Sequence, residues 1–371
     1  MGSEATILTS GPKRRRALSV PTRVLPTRVM IVDDSLTVRT ALARMIAAEP
    51  DLEVVCKTSS AELALQQLRK TPADVVLLDL EMPGMGGLQA LPKILEAHSS
   101  TQVLVVSTLA EDGAEATLAA LSMGAADTMP KPRSGGFVPA YCEALLGKIR
   151  ALGNGNCPAA GHAANVAAQK LRSLPRQAPE VLAIGASTGG IHSLCTLLEN
   201  LPREFNLPIL VTQHLPASFM PVFARQLELA AARKAWVAED GMAINPGNIY
   251  VALGTGHLNV MRRSTGLACK ITHQTMPSGC VPSVDPMFET LGKATEGRAI
   301  GIVLSGMGKD GATGAADLVD QGGTIFAQDE KTSAVWGMPR AVAERGLASA
   351  ILPPADLAKR IMATLGAAAW K

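Results

Sequence analysis

Aromatic side chains are scarce in this 371-residue chain, where six Phe, three Trp and two Tyr amount to 3%. That shortage argues against base stacking as a main binding mode, because stacking platforms need rings. It also leaves the cores to Ala, Val, Leu and Ile. No two of the six cysteines (Cys56, Cys142, Cys157, Cys195, Cys269 and Cys280) form a CxxC pair. Scattered over a chain this long they read as reduced thiols, which argues against a disulfide framework or a zinc site. An apolar run of the roughly 18 residues a membrane span needs is missing. No apolar core of signal-peptide type follows the basic run near the N-terminus, so a secretory leader is not expected either. The reading is a soluble, cytoplasmic protein.

What is present suffices for packed cores. Hydrophobic residues make up 47% and charged residues 18%, so disorder cannot dominate. At roughly 150 residues per domain the length predicts two domains with a linker or tail. Charge is uneven behind a net +3. Residues 1–28 carry six Lys or Arg against one Glu, residues 29–150 ten basic against fifteen acidic groups, and residues 151–371 nineteen against sixteen. A nucleic-acid binder would concentrate basic charge on a folded module. Here the excess sits in a tail, and the first folded region is acidic.

Residues 1–27, with Lys13-Arg14-Arg15-Arg16 and no apolar periodicity, read as a flexible basic tail. From 28 to 150, short apolar runs at 29–32, 52–56, 75–78, 103–106 and 125–129 alternate with helical patterns near 36–48, 60–70, 87–97, 112–123 and 138–150. Five such units predict one doubly wound parallel sheet. Residues 151–178 have linker composition, with a possible helix over 163–171. A second α/β pattern fills 179–371, with strand-like runs at 181–184, 209–211, 249–253, 302–304 and 324–327. The turn-rich segment 236–283 predicts a β-hairpin insertion.

In an open parallel sheet, ligands bind beyond the carboxyl ends of the strands. Asp33 and Asp34 end the first predicted strand, Asp79 the third and Thr108 the fourth, and Lys131 follows the fifth. Converging carboxylates need a cation, and oxygen-only ligands suit Mg²⁺. A hydroxyl and an ammonium nearby suit a phosphoryl group. Taken singly, a strand-end Asp is more often a helix cap; the five together form a chemical set.

Val32-Asp33-Asp34-Ser35, Leu78-Asp79-Leu80-Glu81-Met82-Pro83-Gly84, Ser107-Thr108 and Lys131-Pro132 resemble the receiver domain of two-component response regulators. The resemblance implies a flavodoxin-like domain over 28–150 with Asp79 as phosphoacceptor. It further implies Mg²⁺ held by Asp33, Asp34, Asp79 and the backbone carbonyl of Glu81, with Thr108 and Lys131 contacting the phosphoryl oxygens. Thr128 departs from the pattern, standing where receivers often carry an aromatic switch residue.

In the second domain, Ile184-Gly185-Ala186-Ser187-Thr188-Gly189-Gly190 joins a predicted strand to a helix. This G-x-S-x-G fits a nucleophile elbow, whose small neighbours allow the turn that exposes Ser Oγ. It fits a phosphate-cradling glycine loop equally well. A serine nucleophile needs a base, and the base needs an orienting acid. Of His98, His162, His192, His214, His257 and His273, His214 stands at the end of the next apolar strand, whereas His192 lies in the helix after Ser187 and reads as structural. Asp310, in Gly306-Met307-Gly308-Lys309-Asp310-Gly311, is the candidate acid, with a helix N-cap as its competing role.

These tracts, with Thr212-Gln213-His214 and Pro282-Ser283-Val284-Asp285, resemble the chemotaxis response regulator protein-glutamate methylesterases, the CheB family, over nearly the whole chain. The resemblance implies two doubly wound α/β domains, the receiver and a larger methylesterase domain. It implies a Ser187–His214–Asp310 triad, with the Met307 backbone N–H helping to bind the oxyanion and no cofactor in the ester reaction. The implied partners are methyl-accepting chemoreceptors as substrate and a chemotaxis histidine kinase as phosphodonor. Glutaminase activity is implied as well, and so is occlusion of the catalytic crevice by the receiver until Asp79 is phosphorylated. Three other outcomes are weighed: a DNA-binding response regulator, which would need a short basic output domain; an interaction module without catalysis; and a methylesterase serving a non-chemotactic pathway.

Overall fold

The computed structural model describes residues 25–107, 111–131, 138–154, 171–174 and 177–369. Most of the expected tail, most of the linker with the stretch 163–170, and Thr108 lie outside the described residues.

The first unit alternates β1 (Thr27–Val32), α1 (Leu36–Ala47), β2 (Leu52–Thr58), α2 (Ala61–Leu68), β3 (Val75–Leu78), α3 (Gly86–Ala97), β4 (Gln102–Ser107), α4 (Glu111–Ser122), β5 (Asp127–Pro130) and α5 (Pro139–Asn154). Every pairing is parallel, in the order β2-β1-β3-β4-β5, the flavodoxin-like arrangement. Helices cover both faces, so the central strands are apolar on both sides and not alternating; all four residues of β3 are buried. Ser35 and Ser60 begin α1 and α2 by accepting from the backbone N–H of Val38 and Leu63, which satisfies donors that a helix start leaves orphaned.

The second unit runs β6 (Val181–Ala186), α6 (Gly190–Glu199), β7 (Ile209–Gln213), α7 (Met220–Ala231), β8 (Ala235–Val237), β9 (Ile249–Val251), β10 (His257–Arg263), β11 (Gly266–Thr272), α8 (Asp285–Thr295), β12 (Ala299–Val303), α9 (Ala312–Asp320), β13 (Thr324–Gln328), α10 (Met338–Glu344), β14 (Ala348–Leu352) and α11 (Pro354–Ala369). Seven strands form a second all-parallel sheet, ordered β14-β13-β12-β6-β7-β9-β8. The expected hairpin is β10–β11, a separate antiparallel pair, tied to α8 by Val260 N–H donating to Thr290 Oγ1 at 3.0 Å. Two strands go beyond the five apolar runs. Strand β8 is three residues long at the sheet edge with none of them buried, and β14 begins Ala-Ser-Ala, so neither presents an apolar run. A seven-stranded α/β unit is not the short basic output domain that a DNA-binding regulator would carry.

The chain leaves β6 toward β7 on one side, while β12, β13 and β14 extend the sheet on the other. The carboxyl ends of β6 and β12 therefore flank a topological switch point, where doubly wound sheets open a crevice. The first unit has its own switch point between β1 and β3.

The two units are in contact through α4 and the start of β5. Gly189 N–H donates to the Ala126 carbonyl at 2.5 Å, Thr188 Oγ1 to Asp127 Oδ2 at 2.6 Å, and His192 Nδ1 lies 2.8 Å from the Ser122 carbonyl oxygen. Buried Leu118 and Leu121 of α4 join Leu194 and Leu198 of α6 in one apolar cluster. Among the described residues, no helix is long and apolar enough to cross a membrane.

Candidate active site

The six residues of β6 are all buried, and they deliver the chain to the crevice at Ser187. The turn there is held from three sides. Ser187 N–H donates to the Ser305 carbonyl at 3.0 Å, Gly190 N–H to the Ser187 carbonyl at 2.8 Å, and Gln213 Nε2 to that same carbonyl at 3.0 Å. Gly189, the N-cap of α6, adopts a φ of +75°, a left-handed conformation that glycine takes without penalty. The Gly306 backbone passes so close that a Cβ there would meet Ser187 Cβ at 2.9 Å. Ser187 is thus set at a helix N-terminus, where backbone N–H groups favour negative charge.

Strand β7 ends one residue before His214, whose Nδ1 lies 3.1 Å from Ser187 Oγ. Its other nitrogen, Nε2, lies 2.8 Å from Asp310 Oδ2. A carboxylate can only accept, so Nε2 carries a proton, and when the ring is neutral its Nδ1 lone pair faces the serine hydroxyl. Asp310, beyond β12, is 3% exposed. Its Oδ1 accepts from Ser283 Oγ at 2.6 Å and its Oδ2 from Val284 N–H at 2.7 Å. Burial alone would raise this carboxyl, but the hydrogen bonds from His214, Ser283 and Val284 outweigh it and hold Asp310 down at about 2. The same balance acts on the imidazole: burial presses it down, while Asp310 and Cys280 overcome that and raise it to about 9.

Ser187, His214 and Asp310, read from three separate tracts, are therefore brought together in one hydrogen-bonded chain. Asp310 does not act as the N-cap of α9, since that position belongs to Gly311, without a side-chain cap. Thr313 and Gly314 at the start of α9 donate instead to Asp285 Oδ1 at 3.0 and 2.7 Å. His192 points to Ser122 and not to the serine. Met307, expected to help bind the oxyanion through its backbone N–H, follows Gly306 and is 48% exposed. Ser283 belongs to the Pro282-Ser283-Val284-Asp285 tract, yet nothing in the sequence announces that its hydroxyl grips Asp310. Cys280, which the sequence offers only as a reduced thiol, places its Sγ within 4.8 Å of ligand atoms of His214 and Asp310.

The first unit builds a second constellation at its own switch point. Carboxylate oxygens of Asp33, Asp34 and Asp79 all lie within 4.8 Å of one another. Lys131 Nζ donates to Asp79 Oδ2 at 2.5 Å and stands 3.7 Å from Asp33 Oδ2. Asp79 Oδ1 accepts from Glu81 N–H at 3.0 Å, which brings the Glu81 backbone to the same place. Burial raises the Asp79 carboxyl to about 6, with Lys131 opposing. Asp33 Oδ2 is buried without a hydrogen-bond partner. An oxygen-only donor set with an orphaned, buried carboxylate oxygen fits a hard cation such as Mg²⁺. Thr108, expected beside this set, lies outside the described residues.

Comparison with known proteins agrees with this architecture. A family model described as CheB methylesterase matches residues 182–361, and one described as response regulator receiver domain matches residues 29–136. A protein-glutamate methylesterase/protein-glutamine glutaminase of Caulobacter vibrioides is 42% identical, with 88% of this chain and 95% of the relative covered. Its counterpart in Rhodospirillum rubrum is 37% identical, with 91% and 95% covered. The CheB methylesterase catalytic domain of Thermotoga maritima, a solved structure, is 33% identical at a TM-score of 0.49, covering 50% of this chain and 98% of that one. With relatives of this similarity spanning nearly its whole length, and a receiver domain ahead of the methylesterase domain, the chain belongs to the CheB methylesterase family.

Proposed function

We propose that this chain is a cytoplasmic, receiver-controlled hydrolase that removes methyl esters from glutamate side chains of chemoreceptors and deamidates receptor glutamines, resetting chemotactic adaptation. The observation that carries this reading is the continuous hydrogen-bonded chain from Ser187 Oγ through the His214 ring to Asp310.

Ser187 Oγ attacks the γ-carbonyl carbon while His214 Nδ1 takes the hydroxyl proton. Asp310 accepts from Nε2–H throughout, fixing the tautomer and stabilising the imidazolium. The tetrahedral oxyanion forms beside the N-terminus of α6 and the Met307 backbone, where N–H groups favour developing negative charge. Collapse breaks the C–O bond, and the imidazolium returns its proton to the departing methoxide, releasing methanol. Water then adds to the acyl-serine by the same route, leaving a glutamate carboxylate and free Ser187. A glutamine amide offers the same carbonyl, with ammonia as leaving group.

Control is assigned to the receiver. Asp79 accepts a phosphoryl group from a chemotaxis histidine kinase, and Lys131, with Thr108, contacts the phosphoryl oxygens. Asp33, Asp34, Asp79 and the Glu81 carbonyl would hold Mg²⁺. When bound, that ion neutralises the charge gathering between phosphoryl and carboxylate oxygens. Docking of α4 and β5 beside Ser187 supports an occluded resting state, which phosphorylation shifts as a two-state equilibrium.

The test is methanol release from methylated receptor membranes by wild type and Ser187→Ala, with and without a small phosphodonor and Mg²⁺. Release abolished by the substitution and raised by the donor is the expected result. Release that survives in Ser187→Ala removes the nucleophile assignment, and no release by a phosphorylated wild type leaves an interaction module.

A further inference from the structure

Cys280 is half-buried, sits on the connection between β11 and α8, and has no part in the ester reaction proposed above. One ring nitrogen of His214, the Cys280 Sγ and a carboxylate oxygen of Asp310 all lie within 4.8 Å of one another. We infer that these three side chains form an inhibitory Zn²⁺ site superimposed on the esterase machinery.

The donor chemistry selects the metal. Imidazole, thiolate and carboxylate together suit Zn²⁺, whereas the oxygen-only cluster of the receiver suits a hard cation. Zinc holds sulfur at about 2.3 Å and nitrogen or oxygen at about 2.0–2.1 Å, so neighbouring ligand atoms of a tetrahedral site stand roughly 3.5 Å apart. His214 Nε2 and Asp310 Oδ2, now 2.8 Å apart, open by about half an ångström to admit the ion, while Cys280 Sγ closes on it from within 4.8 Å. Cys280 supplies the closing movement by giving up the long 3.8 Å contact of its Sγ with the Ser278 carbonyl, on a turn whose Ser278 and Gly279 are exposed. Asp310, gripped by Ser283 and Val284, is the fixed point on which the site assembles. Two of the four tetrahedral positions are thus lined by residues already in place, the third is reached by Cys280, and the fourth is left for solvent.

Binding releases the Cys280 thiol proton to solvent as the zinc–sulfur bond forms, and the His214 nitrogen that turns to the metal gives up to solvent the proton it carries as its lone pair is consumed. With that pair on the metal and Asp310 engaged by it, the ring cannot hold the tautomer that takes the Ser187 proton. Bound zinc therefore silences ester cleavage without touching the receiver. The inhibitory half of this inference rests on the proposed role of His214; the binding half does not.

The experiment uses the full chain and two readouts. Cobalt(II), a spectroscopic stand-in for zinc, is titrated into wild type, Cys280→Ser and His214→Ala while the sulfur-to-cobalt charge-transfer band is recorded, and zinc is then added to displace it. In parallel, methanol release by wild type and Cys280→Ser is measured across a zinc series, each rate divided by that protein's own rate in chelator. The expected result is a one-to-one thiolate band in wild type, displaced by zinc and lost in both variants, with the half-inhibitory zinc concentration raised more than about tenfold in Cys280→Ser. A band that persists in Cys280→Ser overturns the site. A band lost as expected alongside equal zinc sensitivity of the two proteins overturns the inhibition. If wild type releases no methanol under any condition, the esterase reading and the inhibition fail together, while the cobalt band still decides whether the metal site exists.

Discussion

Thr188, the residue after Ser187, donates its hydroxyl to the carboxylate of Asp127 at 2.6 Å, joining the turn that carries the serine to the first residue of β5 in the receiver. Asp127 Oδ2 also receives the Lys148 ammonium, so the receiver's own α5 and the other unit's serine turn meet on one oxygen. Displacement of β5 or α5 within the receiver is thereby felt one residue from Ser187.

That contact predicts a division among interface substitutions. Asp127→Ala removes a partly buried acceptor shared by two partners and should loosen docking, raising methanol release without phosphodonor about threefold to tenfold, as loss of a charge-assisted hydrogen bond implies. Arg225→Ala breaks a cross-unit ion pair, Arg225 to Glu115 at 2.6 Å, whose side chains are 67% and 65% exposed. Exposed pairs contribute little, so its basal rate should stay within about twofold of wild type. Equal effects from the two substitutions would contradict this assignment of the docking energy.

Ser283 gives a second prediction. Its hydroxyl is the partner of Asp310 Oδ1, and Ser283→Ala leaves a buried carboxylate oxygen short of one donor, which costs about 1–3 kcal/mol. Part of that cost falls on orientation of the imidazole, so kcat for methanol release should drop about tenfold with KM little changed. Ser283→Thr, which keeps the hydroxyl, should recover much of the loss; if it is as impaired as Ser283→Ala, the hydroxyl is not what matters.

The pH dependence follows from the sign of the His214 shift. The ring must be neutral to accept the serine proton, and it stays protonated up to about 9. Methanol release measured in chelator should therefore climb about tenfold per pH unit below that value and level off above it. Stability should move the opposite way. A histidine whose folded pKa is raised contributes stability that is complete below its unfolded value near 6.5 and is lost as pH rises through about 9. Thermal melts of wild type should thus soften over the window in which activity grows, and His214→Gln should remove that component of the softening. Activity already level at neutral pH would contradict the raised ring.

Legibility in the sequence followed periodicity and strand ends. Apolar runs such as 181–184 and 209–211 marked the strands buried on both faces, and the polar residues just past them, Asp33, Asp79, Ser187 and His214, became readable because doubly wound sheets gather their sites there. Strand β8 escaped because an edge strand of three partly exposed residues carries no apolar run. The grip of Ser283 on Asp310 escaped for a different reason: it joins residues 27 positions apart, through packing of α8 beside α9 that no local pattern encodes. Cysteine spacing reports only on ligands close in sequence, so it could not show that Cys280 stands beside His214 and Asp310 through the fold.

Asp79 separates the two halves of the proposed function. Its carboxylate is 1% exposed and belongs to the receiver's switch point, while Ser187, His214 and Asp310 belong to that of the other sheet. Asn is nearly isosteric with Asp, so Asp79→Asn keeps the packing around Lys131 and removes the proposed phosphoacceptor oxygen with its charge. The variant should take up no phosphoryl group from a small donor and show no donor-stimulated rise in methanol release, while its basal rate stays within about threefold of wild type, the range expected when no group of the reacting centre is altered. Loss of one buried anion also weakens Mg²⁺ retention by the receiver, measurable as a weaker metal-induced rise in melting temperature. A donor-stimulated rise that persists in Asp79→Asn would move the phosphoacceptor elsewhere. A basal rate that collapses with it would mean that Asp79 supports the esterase fold itself, because a carboxylate acting only through phosphorylation has nothing to contribute before the donor arrives.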